Sequence, residues 1–350
     1  MRDVAVVAFA QSPSVRREQY RNEVEMLMPV VGEALQAAGM TMDDIGFTCS
    51  GSSDFLAGAP FSFVSALDAI GPWPPIQESH VEMDGAWALY EAWVRLQHGD
   101  IDAALVYGFG KSSVGPITEL LALQLDPYVV GPLWPDSVSL AALQARLLLE
   151  NGITETDMAS VAVQSRRAAK GNPNAQLSGD FEVDALLAEP YFVAPLRKHD
   201  CPPVSDAAAA VVLAAGEKAR QAARRPAWIA GIDHRIEAHS LGARDLAHSP
   251  STVLAAEGAG AFDGPVEVAE LHAPFSHQQL LLKEALRLDD AVDINPSGGA
   301  LAANPVMAAG LVRIGEAAAR VMDGGAQRVL AHATSGPCLQ QNLVCVMEAR

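Results

Sequence analysis

The stretch Ile294-Asn295-Pro296-Ser297-Gly298-Gly299-Ala300-Leu301 decides the fold of this chain. It reads as a turn between a buried strand and an apolar helix, because Asn, Pro and Ser favour turns and two glycines allow close backbone approach. Hydrophobic periodicity places this turn in the middle of a regular series of elements. That series is strand Val266–Leu271, helix Ser276–Leu286, the turn, helix Ala300–Met322 and strand Arg328–Ala333.

The first part of the chain repeats this order of strands and helices. Its predicted elements are strand Val4–Phe9, helix Glu23–Ala38, strand Ile45–Cys49, helix Phe61–Ile70, a short segment Ile76–Val81, a helix that opens at Asp84, and strand Ala103–Gly108. Continuously apolar strands that alternate with helices are typical of parallel-rich sheets covered on both faces. The fold class is therefore α/β, and the two series indicate a duplicated fold.

The two series set the predicted domain boundaries. Residues 1–222 form an N-terminal half and residues 223–350 a C-terminal half. Residues from about 111 to 203 are richer in Pro and charge, and they contain two amphipathic helices near Val138–Glu150 and Glu155–Lys170. We interpret this segment as a cap inserted into the first half, which can close over a ligand.

Charge and composition exclude several classes of function. The chain has 24 Lys and Arg against 42 Asp and Glu, a net charge of −18, and it lacks the clustered cations that a nucleic-acid surface requires. Its apolar runs are too short to span a membrane, and the N-terminus reads as a buried strand rather than a secretory signal. The four cysteines have neither disulfide-like nor zinc-like spacing. We therefore expect a cytoplasmic, reducing environment and no metal site.

Four segments of the chain resemble motifs of the thiolase superfamily. Within that superfamily the resemblance is to the sterol-carrier-protein-type thiolases and the bacterial lipid-transfer-protein branch. Residues 270–276 (ELHAPFS) resemble the HDCF-type loop, and the turn at 294–301 resembles the NPSGG motif. Residues 200–209 resemble the segment that closes the cap, and Asn172-Pro173 fits the cap loop. The resemblance implies two thiolase-like halves in a five-layer αβαβα arrangement.

The departures from the family pattern concern the catalytic groups. Glu82 aligns with the acyl-accepting cysteine of thiolases, and Asn304 aligns with the histidine of the GHP motif. Cys338 lies in the loop that holds the second thiolase cysteine. Thiolysis needs a thiolate to carry the acyl group and a base to activate it, so ordinary thiolase chemistry is not expected here.

Retro-aldol cleavage of a β-hydroxyacyl-CoA passes through the same thioester enolate without an acyl-enzyme. The resemblance to steroid side-chain aldolases of this branch implies such a carbon–carbon lyase, which releases a ketone or aldehyde and a shorter acyl-CoA. It implies no metal or redox cofactor, since CoA is part of the substrate. Two alternatives stay open: a residual acyltransferase that uses Cys338, and a non-catalytic subunit that binds acyl-CoA or lipid.

Each candidate catalytic residue has a structural alternative. His272 follows a predicted strand, and its imidazole either takes the β-hydroxyl proton, donates to the enolate oxygen, or is a structural hydrogen-bonder. Asn304 can donate one bond to the thioester oxygen. Glu82 either acts at the nucleophile's position or caps a helix, as we expect for Asp84, and Cys338 is either an acid/base or an inert buried thiol.

A further set of residues is predicted to contact CoA or to shape the loops around the thioester. Arg166, Arg167 and Lys170 on the cap helix could face the CoA phosphates, although an exposed helix face is the commoner explanation for such residues. Gly298, Gly299 and Gly336 lie in loops that surround the thioester in the resemblance, where close approach requires the absence of a Cβ atom.

We also expect two kinds of partner chain. The strand beside Val81 is predicted to pair with a second copy, which gives a homodimer. Aldolases of this branch work with a small OB-fold protein, often with a zinc ribbon. With a net charge of −18, this chain would repel the CoA nucleotide, and a cationic partner would reverse that local field. We therefore expect a heterotetramer with two copies of each chain.

Overall fold

Two sets of five strands join edge to edge in the computed structural model, which describes residues 1–58 and 60–350. The described strands are β1 (Val4–Gln11), β2 (Phe47–Gly51), β3 (Glu78–Val81), β4 (Ala103–Lys111), β5 (Tyr191–Val193), β6 (Leu196–Arg197), β7 (Asp206–Ala215), β8 (Ala227–Ile236), β9 (Val268–Leu271), β10 (Asp293–Ile294), β11 (Arg328–Ser335) and β12 (Gln341–Glu348). All except β5 and β6, which pair with each other, belong to one large sheet.

The helices form the layers on either side of these strands. The described α-helices are α1 (Glu23–Ala37), α2 (Asp54–Ala57), α3 (Phe63–Leu67), α4 (Gly85–Gln97), α5 (Ile117–Ala122), α6 (Ser137–Glu150), α7 (Glu155–Ala168), α8 (Val183–Leu187), α9 (Gly216–Ala222), α10 (Pro250–Gly258), α11 (Ser276–Ala285), α12 (Gly299–Ala302) and α13 (Ala309–Met322). Within this described part of the chain, none has both the length and the apolar character needed to cross a membrane.

Strand pairing shows that the fold is duplicated. The strand order is β10-β9-β11-β12-β8-β1-β7-β4-β2-β3. In the first half β2 lies parallel between β3 and β4, and β7 runs antiparallel between β4 and β1. The second half repeats this pattern with β9 between β10 and β11, and β12 between β11 and β8. Two residue pairs between β1 and β8 join the halves.

Five layers follow from how the helices cover the two halves. Helices α4 and α13 pack against each other and against strands of both halves, and their apolar residues share one core cluster. Helix α1 covers the outer face of the first half. Helix α10 covers β8 and β12, and α11 packs beside it in the same outer cluster. The expected α/β fold with its αβαβα layers is confirmed.

The segment between β4 and β7 forms a cap that leans on the other half of the molecule. It contains α5 to α8 and the β5–β6 pair. Helices α6 and α7 contact α11, and α7 also contacts α12. Ser165 of α7 donates from its hydroxyl to the carbonyl oxygen of Gly298 at 2.6 Å. The cap is inserted in the first half of the sequence, but it packs against the second.

One predicted helix is wrong in a way that matters for function. The expected continuous helix Ala300–Met322 is two helices, α12 and α13, separated by residues 303–308. Pro305 has no N–H to donate, and its ring disfavours helical geometry at Asn304, so the helix stops there. The chain then restarts as α13 in the middle layer, and the interruption leaves Asn304 in a loop.

Candidate functional site

A cavity of about 190 Å³ lies where the second half meets the cap. Polar groups line it from the ends of β9 and β11, from the loop between α12 and α13, from the residue before α4, and from α6 and α11, while Leu121 of α5 and Leu140 and Ala141 of α6 provide apolar side chains. Among residues 1–58 and 60–350, no cluster of His, Cys, Asp and Glu has the geometry to hold a metal ion. The cavity is lined by Asp84, Leu121, Gln124, Leu125, Pro135, Ser137, Leu140, Ala141, Pro202, His272, Pro274, Phe275, Gln278, Asn304, Val306, Met307, Thr334, Ser335, Gly336, Pro337, Cys338 and Leu339.

His272 is held in one tautomer. It directly follows β9, and its own N–H donates to the carbonyl of His332 at 3.1 Å, which extends the β9–β11 ladder to the cavity. The backbone N–H of Thr334 donates to Nδ1 at 3.4 Å, so Nδ1 carries no proton. The proton therefore sits on Nε2, which faces the Oδ1 atom of Asn304 at 3.0 Å. Burial lowers the pKa of His272 to about 4, so the ring is neutral at pH 7.

Asn304 is oriented by this histidine. Because Nε2 of His272 donates, the side chain of Asn304 presents its carbonyl oxygen to the ring. Its Nδ2 amide group remains available as a donor at the cavity. The backbone N–H of Asn304 donates to the hydroxyl of Ser205 at 3.0 Å, which anchors the loop between α12 and α13. The structure thus brings two predicted site residues together as one hydrogen-bonded pair.

Asp84, rather than Glu82, lies at the cavity. The Asp84 carboxylate is buried and accepts from the N–H groups of Ala86, Leu311 and Gly310 at 2.9, 3.0 and 2.9 Å. It caps α4, as its sequence position predicts, and it also caps α13. Burial raises the pKa of Asp84, against the effect of these three donors.

Glu82 is exposed and is not among the described cavity-lining residues. Its Oε1 atom accepts from the backbone N–H of Asp54 at 2.6 Å, at the first residue of α2. An anion at the first turn of a helix is a stabilising arrangement. The capping interpretation concerned the helix that opens at Asp84, whereas the carboxylate of Glu82 satisfies the start of a different helix, α2.

Cys338 lies at the cavity as a neutral thiol. Its Sγ atom donates to the carbonyl of Leu140 on the cap at 3.4 Å. Burial raises the pKa of Cys338 to about 11, and the nearby charge of Arg244 only partly offsets this shift. A thiol with this pKa is almost entirely protonated at pH 7, so it is a poor nucleophile.

The three predicted glycines have different surroundings. Gly336 lines the cavity with a φ of 74°, and a Cβ atom there would meet the side chain of Gln340. Gly298 has a φ of 99°, and its Cβ would meet Ala169 of the cap at 2.7 Å. Gly299 has a φ of 64° and lies against Asn295. Gly298 and Gly299 therefore serve close packing beneath the cap and stand outside the cavity lining.

The predicted CoA-binding cations on the cap are engaged with the protein itself. Arg166 donates to the carbonyl of Leu301, and burial lowers its pKa to about 10. Lys170 forms an ion pair with Asp180 at 2.5 Å, and Arg167 lies 3.8 Å from the same carboxylate. These contacts account for the three side chains without a nucleotide, so their role toward CoA stays a prediction.

Residues to which the sequence motifs gave no site role support His272 from behind. The carboxylate of Glu270 is fully buried, with Arg313 at 2.8 Å and the hydroxyl of Ser297 at 2.7 Å. Asn295 accepts from the N–H of Leu271 at 2.6 Å, one residue before the histidine. A charged residue inside each of two apolar segments, β9 and α13, is a sequence signal for such a buried pair, because lone buried charges are costly.

Several known proteins are similar to this chain in sequence. No protein-family model matches the chain. An acetyl-CoA acetyltransferase from Methanothermobacter thermautotrophicus is 27% identical over 349 residues, which cover 90% of this chain and 90% of that protein. Sterol carrier protein 2 from Gallus gallus is 25% identical over 296 residues, which cover 71% of this chain and 54% of that protein.

Solved structures share the whole fold at lower identity. A chain from the structure described as "Ltp2-ChsH2(DUF35) aldolase" superposes with a TM-score of 0.83 at 19% identity, covering 99% of this chain and 98% of that one. Human mitochondrial 3-ketoacyl-CoA thiolase superposes with a TM-score of 0.78 at 16% identity, covering 100% of this chain and 99% of that one.

Proposed function

Since this chain is related in sequence and in fold to the thiolase superfamily, we propose that it is a carbon–carbon lyase that acts on acyl-CoA thioesters. Its proposed reaction is retro-aldol cleavage of a steroid-type β-hydroxyacyl-CoA to a ketone or an aldehyde and a shorter acyl-CoA. The similarity to a chain solved as an aldolase supports this assignment over thiolysis.

The observation that carries the proposal is the His272–Asn304 pair at an apolar cavity without a thiolate. A neutral imidazole fixes the Asn304 amide so that its Nδ2 group can donate to an oxygen in the cavity. A preorganised donor of this kind stabilises the negative oxygen of an enolate. Of the roles open to His272, this geometry supports the hydrogen-bonder that orients Asn304, because its one ring N–H donates to Asn304 and an imidazole with a pKa of about 4 is a weak base.

The proposed chemistry needs no redox step. A base takes the β-hydroxyl proton, the oxygen lone pair forms the new carbonyl, and the Cα–Cβ bond breaks. Its electron pair moves to the thioester oxygen, where Asn304 would hold it, and Cα then receives a proton. No net electrons are gained or lost, so the step needs no redox cofactor. CoA enters and leaves as part of the substrate and product.

Incubation with a steroid β-hydroxyacyl-CoA separates the candidate functions. We expect equal amounts of a ketone or aldehyde and a shortened acyl-CoA, detected by mass spectrometry of the reaction mixture. Transfer of an acyl group to free CoA, with an acyl adduct on Cys338, would replace the lyase by an acyltransferase. Binding without turnover, with the partner chain present, would leave a non-catalytic acyl-CoA subunit.

The proposed assembly begins with a homodimer. Strand β3 ends the sheet on the side of the first half. Among residues 1–58 and 60–350 it pairs with β2 alone, and its residues are exposed or half-exposed throughout. An open strand edge of this kind is a ready pairing surface for a second copy. Sedimentation at micromolar concentration should therefore give a dimer, and a monomer would contradict the proposal.

We further propose two copies of a small OB-fold partner, often zinc-ribbon-containing in this branch, which complete a heterotetramer. The net charge of −18 and the internal pairing of Arg167 and Lys170 support a partner that supplies cations for the CoA phosphates. The two-component description of the similar aldolase structure also supports it. Co-expression should yield a complex with far higher turnover than this chain alone. Separate elution, with full activity of the isolated chain, would refute the partner.

A further inference from the structure

The cavity wall formed by residues 335–339 contains a strained turn. All five residues line the cavity. Gly336, Cys338 and Leu339 have φ angles of 74°, 54° and 56°. For a residue with a Cβ atom the left-handed region costs roughly 1–2 kcal/mol, and it persists only where surrounding contacts hold it.

Arg244 supplies two of those contacts. Its guanidinium donates to the carbonyl of Pro337 at 3.0 Å and to the carbonyl of Cys338 at 2.6 Å. Its Nε atom lies 3.2 Å from the carboxylate of Glu237, and only 3% of the arginine side chain is exposed. A planar fork that donates to two successive carbonyls and is held by a carboxylate fixes their relative orientation.

Glu237 joins this arginine to the strands behind the turn. Its backbone N–H donates to the carbonyl of Gln340 at 2.9 Å, and its carboxylate also accepts from Ser251 at the start of α10. Asn342 on β12 holds the far side of the turn by donating to the carbonyl of Leu339 at 2.8 Å. The turn is thus tied on one side to the segment that follows β8 and on the other to β12.

We infer that Arg244, held by Glu237, is a positioning residue that sets the shape of the cavity through the Gly336–Leu339 turn. It lies behind the lining and acts through the Pro337 and Cys338 carbonyls. Loss of the guanidinium releases the turn, which uncovers the Cys338 thiol and moves the wall that faces the His272–Asn304 pair. The activity part of this inference rests on the proposed function, whereas the thiol part does not.

Alkylation of Cys338 by iodoacetamide tests the inference without any substrate. The intact dimer is labelled and then digested, and mass spectrometry of the peptides gives the rate of alkylation at each cysteine. Arg244→Gln should raise the alkylation rate of Cys338 at least tenfold, because exposure of the thiol outweighs the loss of a charge that favours the thiolate, and it should leave the rate of the fully buried Cys345 unchanged. Arg244→Lys should give an intermediate rate, because an ammonium group replaces a fork with a point charge. Arg235→Gln is the matched control, since Arg235 pairs with Asp233 on an exposed part of the same region.

Three outcomes would overturn the inference. The first is an unchanged Cys338 rate in both Arg244 variants. The second is a parallel rise at Cys345, which would mean general loosening of the second half. The third is an equal rise in Arg235→Gln.

The activity readout distinguishes this inference from the proposed lyase. With a steroid β-hydroxyacyl-CoA, Arg244→Gln should lower kcat/KM about tenfold, and Arg244→Lys should recover part of it. If the wild-type protein cleaves no such substrate while the Cys338 rate responds as stated, the lyase fails and the positioning role stands. If cleavage occurs and kcat/KM is unchanged in Arg244→Gln, the positioning role fails and the lyase stands.

Discussion

The starts of α4 and α13 occupy equivalent places in the two halves, yet they meet the cavity differently. Asp84 precedes α4 directly, and three backbone N–H groups from both helices occupy its carboxylate. Asn304 precedes α13 by five residues, and its side chain bonds to no helix N–H but to His272. Because the Asp84 carboxylate caps both helices, α13 needs no cap from its own half. Asn304 is therefore left for the proposed chemistry, whereas Asp84 is not.

The largest expected effect is on stability, from Asp84→Ala. Three buried N–H groups would lose their acceptor at once, and each such loss costs roughly 1–3 kcal/mol. We expect the free energy of unfolding to fall by about 3–5 kcal/mol in denaturant titrations. Asp136→Ala is the matched control, because Asp136 caps only α6 by accepting from Ser139, and a single cap is worth about 1 kcal/mol. Equal losses in the two variants would contradict the double-cap interpretation.

The next effect is on turnover, from His272→Ala. Without the imidazole, Asn304 loses the partner that orients its amide. We expect turnover of the β-hydroxyacyl-CoA to fall by roughly 10²–10³, the range for one oxyanion or acid/base group. The fold and the oligomeric state should be unchanged by circular dichroism and sedimentation. His248→Ala, at an exposed ion pair with Asp245, should retain wild-type turnover. Wild-type turnover of His272→Ala would make this histidine structural.

Local pattern predicted the elements of both halves better than the contacts between them. Helix α1 was expected at Glu23–Ala38 and ends only one residue earlier. The prediction came this close because the periodicity and the caps of a helix are local features of the sequence. The break at Asn304 was missed, because an apolar run of good helix formers masks what one proline does to its neighbours. No strand was expected at β7, β8 or β12, each of which is an antiparallel partner in the completed sheet.

The same limit explains which parts of the site could be predicted. His272 and Asn304 were each expected at the site from motif resemblance, but their bond joins residues 32 positions apart. That contact depends on the register of β9 against β11 and on where α12 ends, and neither follows from periodicity. Glu82 was placed by alignment alone, and the direction of its side chain depends on the neighbouring start of α2.

A smaller effect concerns pH. In the first half His80 and His98 are exposed, and His199 in the cap is buried; the histidines described as buried in the second half are His272, His277 and His332. Burial lowers the pKa values of these three to about 4, 3 and 3. Each is protonated in the unfolded chain below about pH 6.5 but not in the folded one, so stability falls as the pH is lowered through this range.

His277→Gln measures one such contribution away from the cavity lining. Between pH 6.5 and pH 5 the wild type should lose about 2 kcal/mol more of its unfolding free energy than this variant does. The reason is that the variant takes up one fewer proton when it unfolds. Urea titrations at four pH values give both slopes. A wild-type slope in His277→Gln would mean that this histidine is charged in the folded protein.

The smallest effect is expected from Glu82→Gln, and it tests the first half of the comparison most directly. If Glu82 replaces the thiolase nucleophile, removing its charge should lower turnover by a factor of about 10² or more, because an amide cannot act as that nucleophile. If its task is to accept from the N–H of Asp54, glutamine retains an oxygen for the same bond. Since the carboxylate is exposed and outside the cavity lining, we expect turnover within about twofold of wild type and a stability change below about 0.5 kcal/mol.

Glu82→Ala should cost more stability than Glu82→Gln but no more turnover. A collapse of turnover in both variants, with the fold intact, would put a first-half carboxylate back into the chemistry and end the contrast with Asn304.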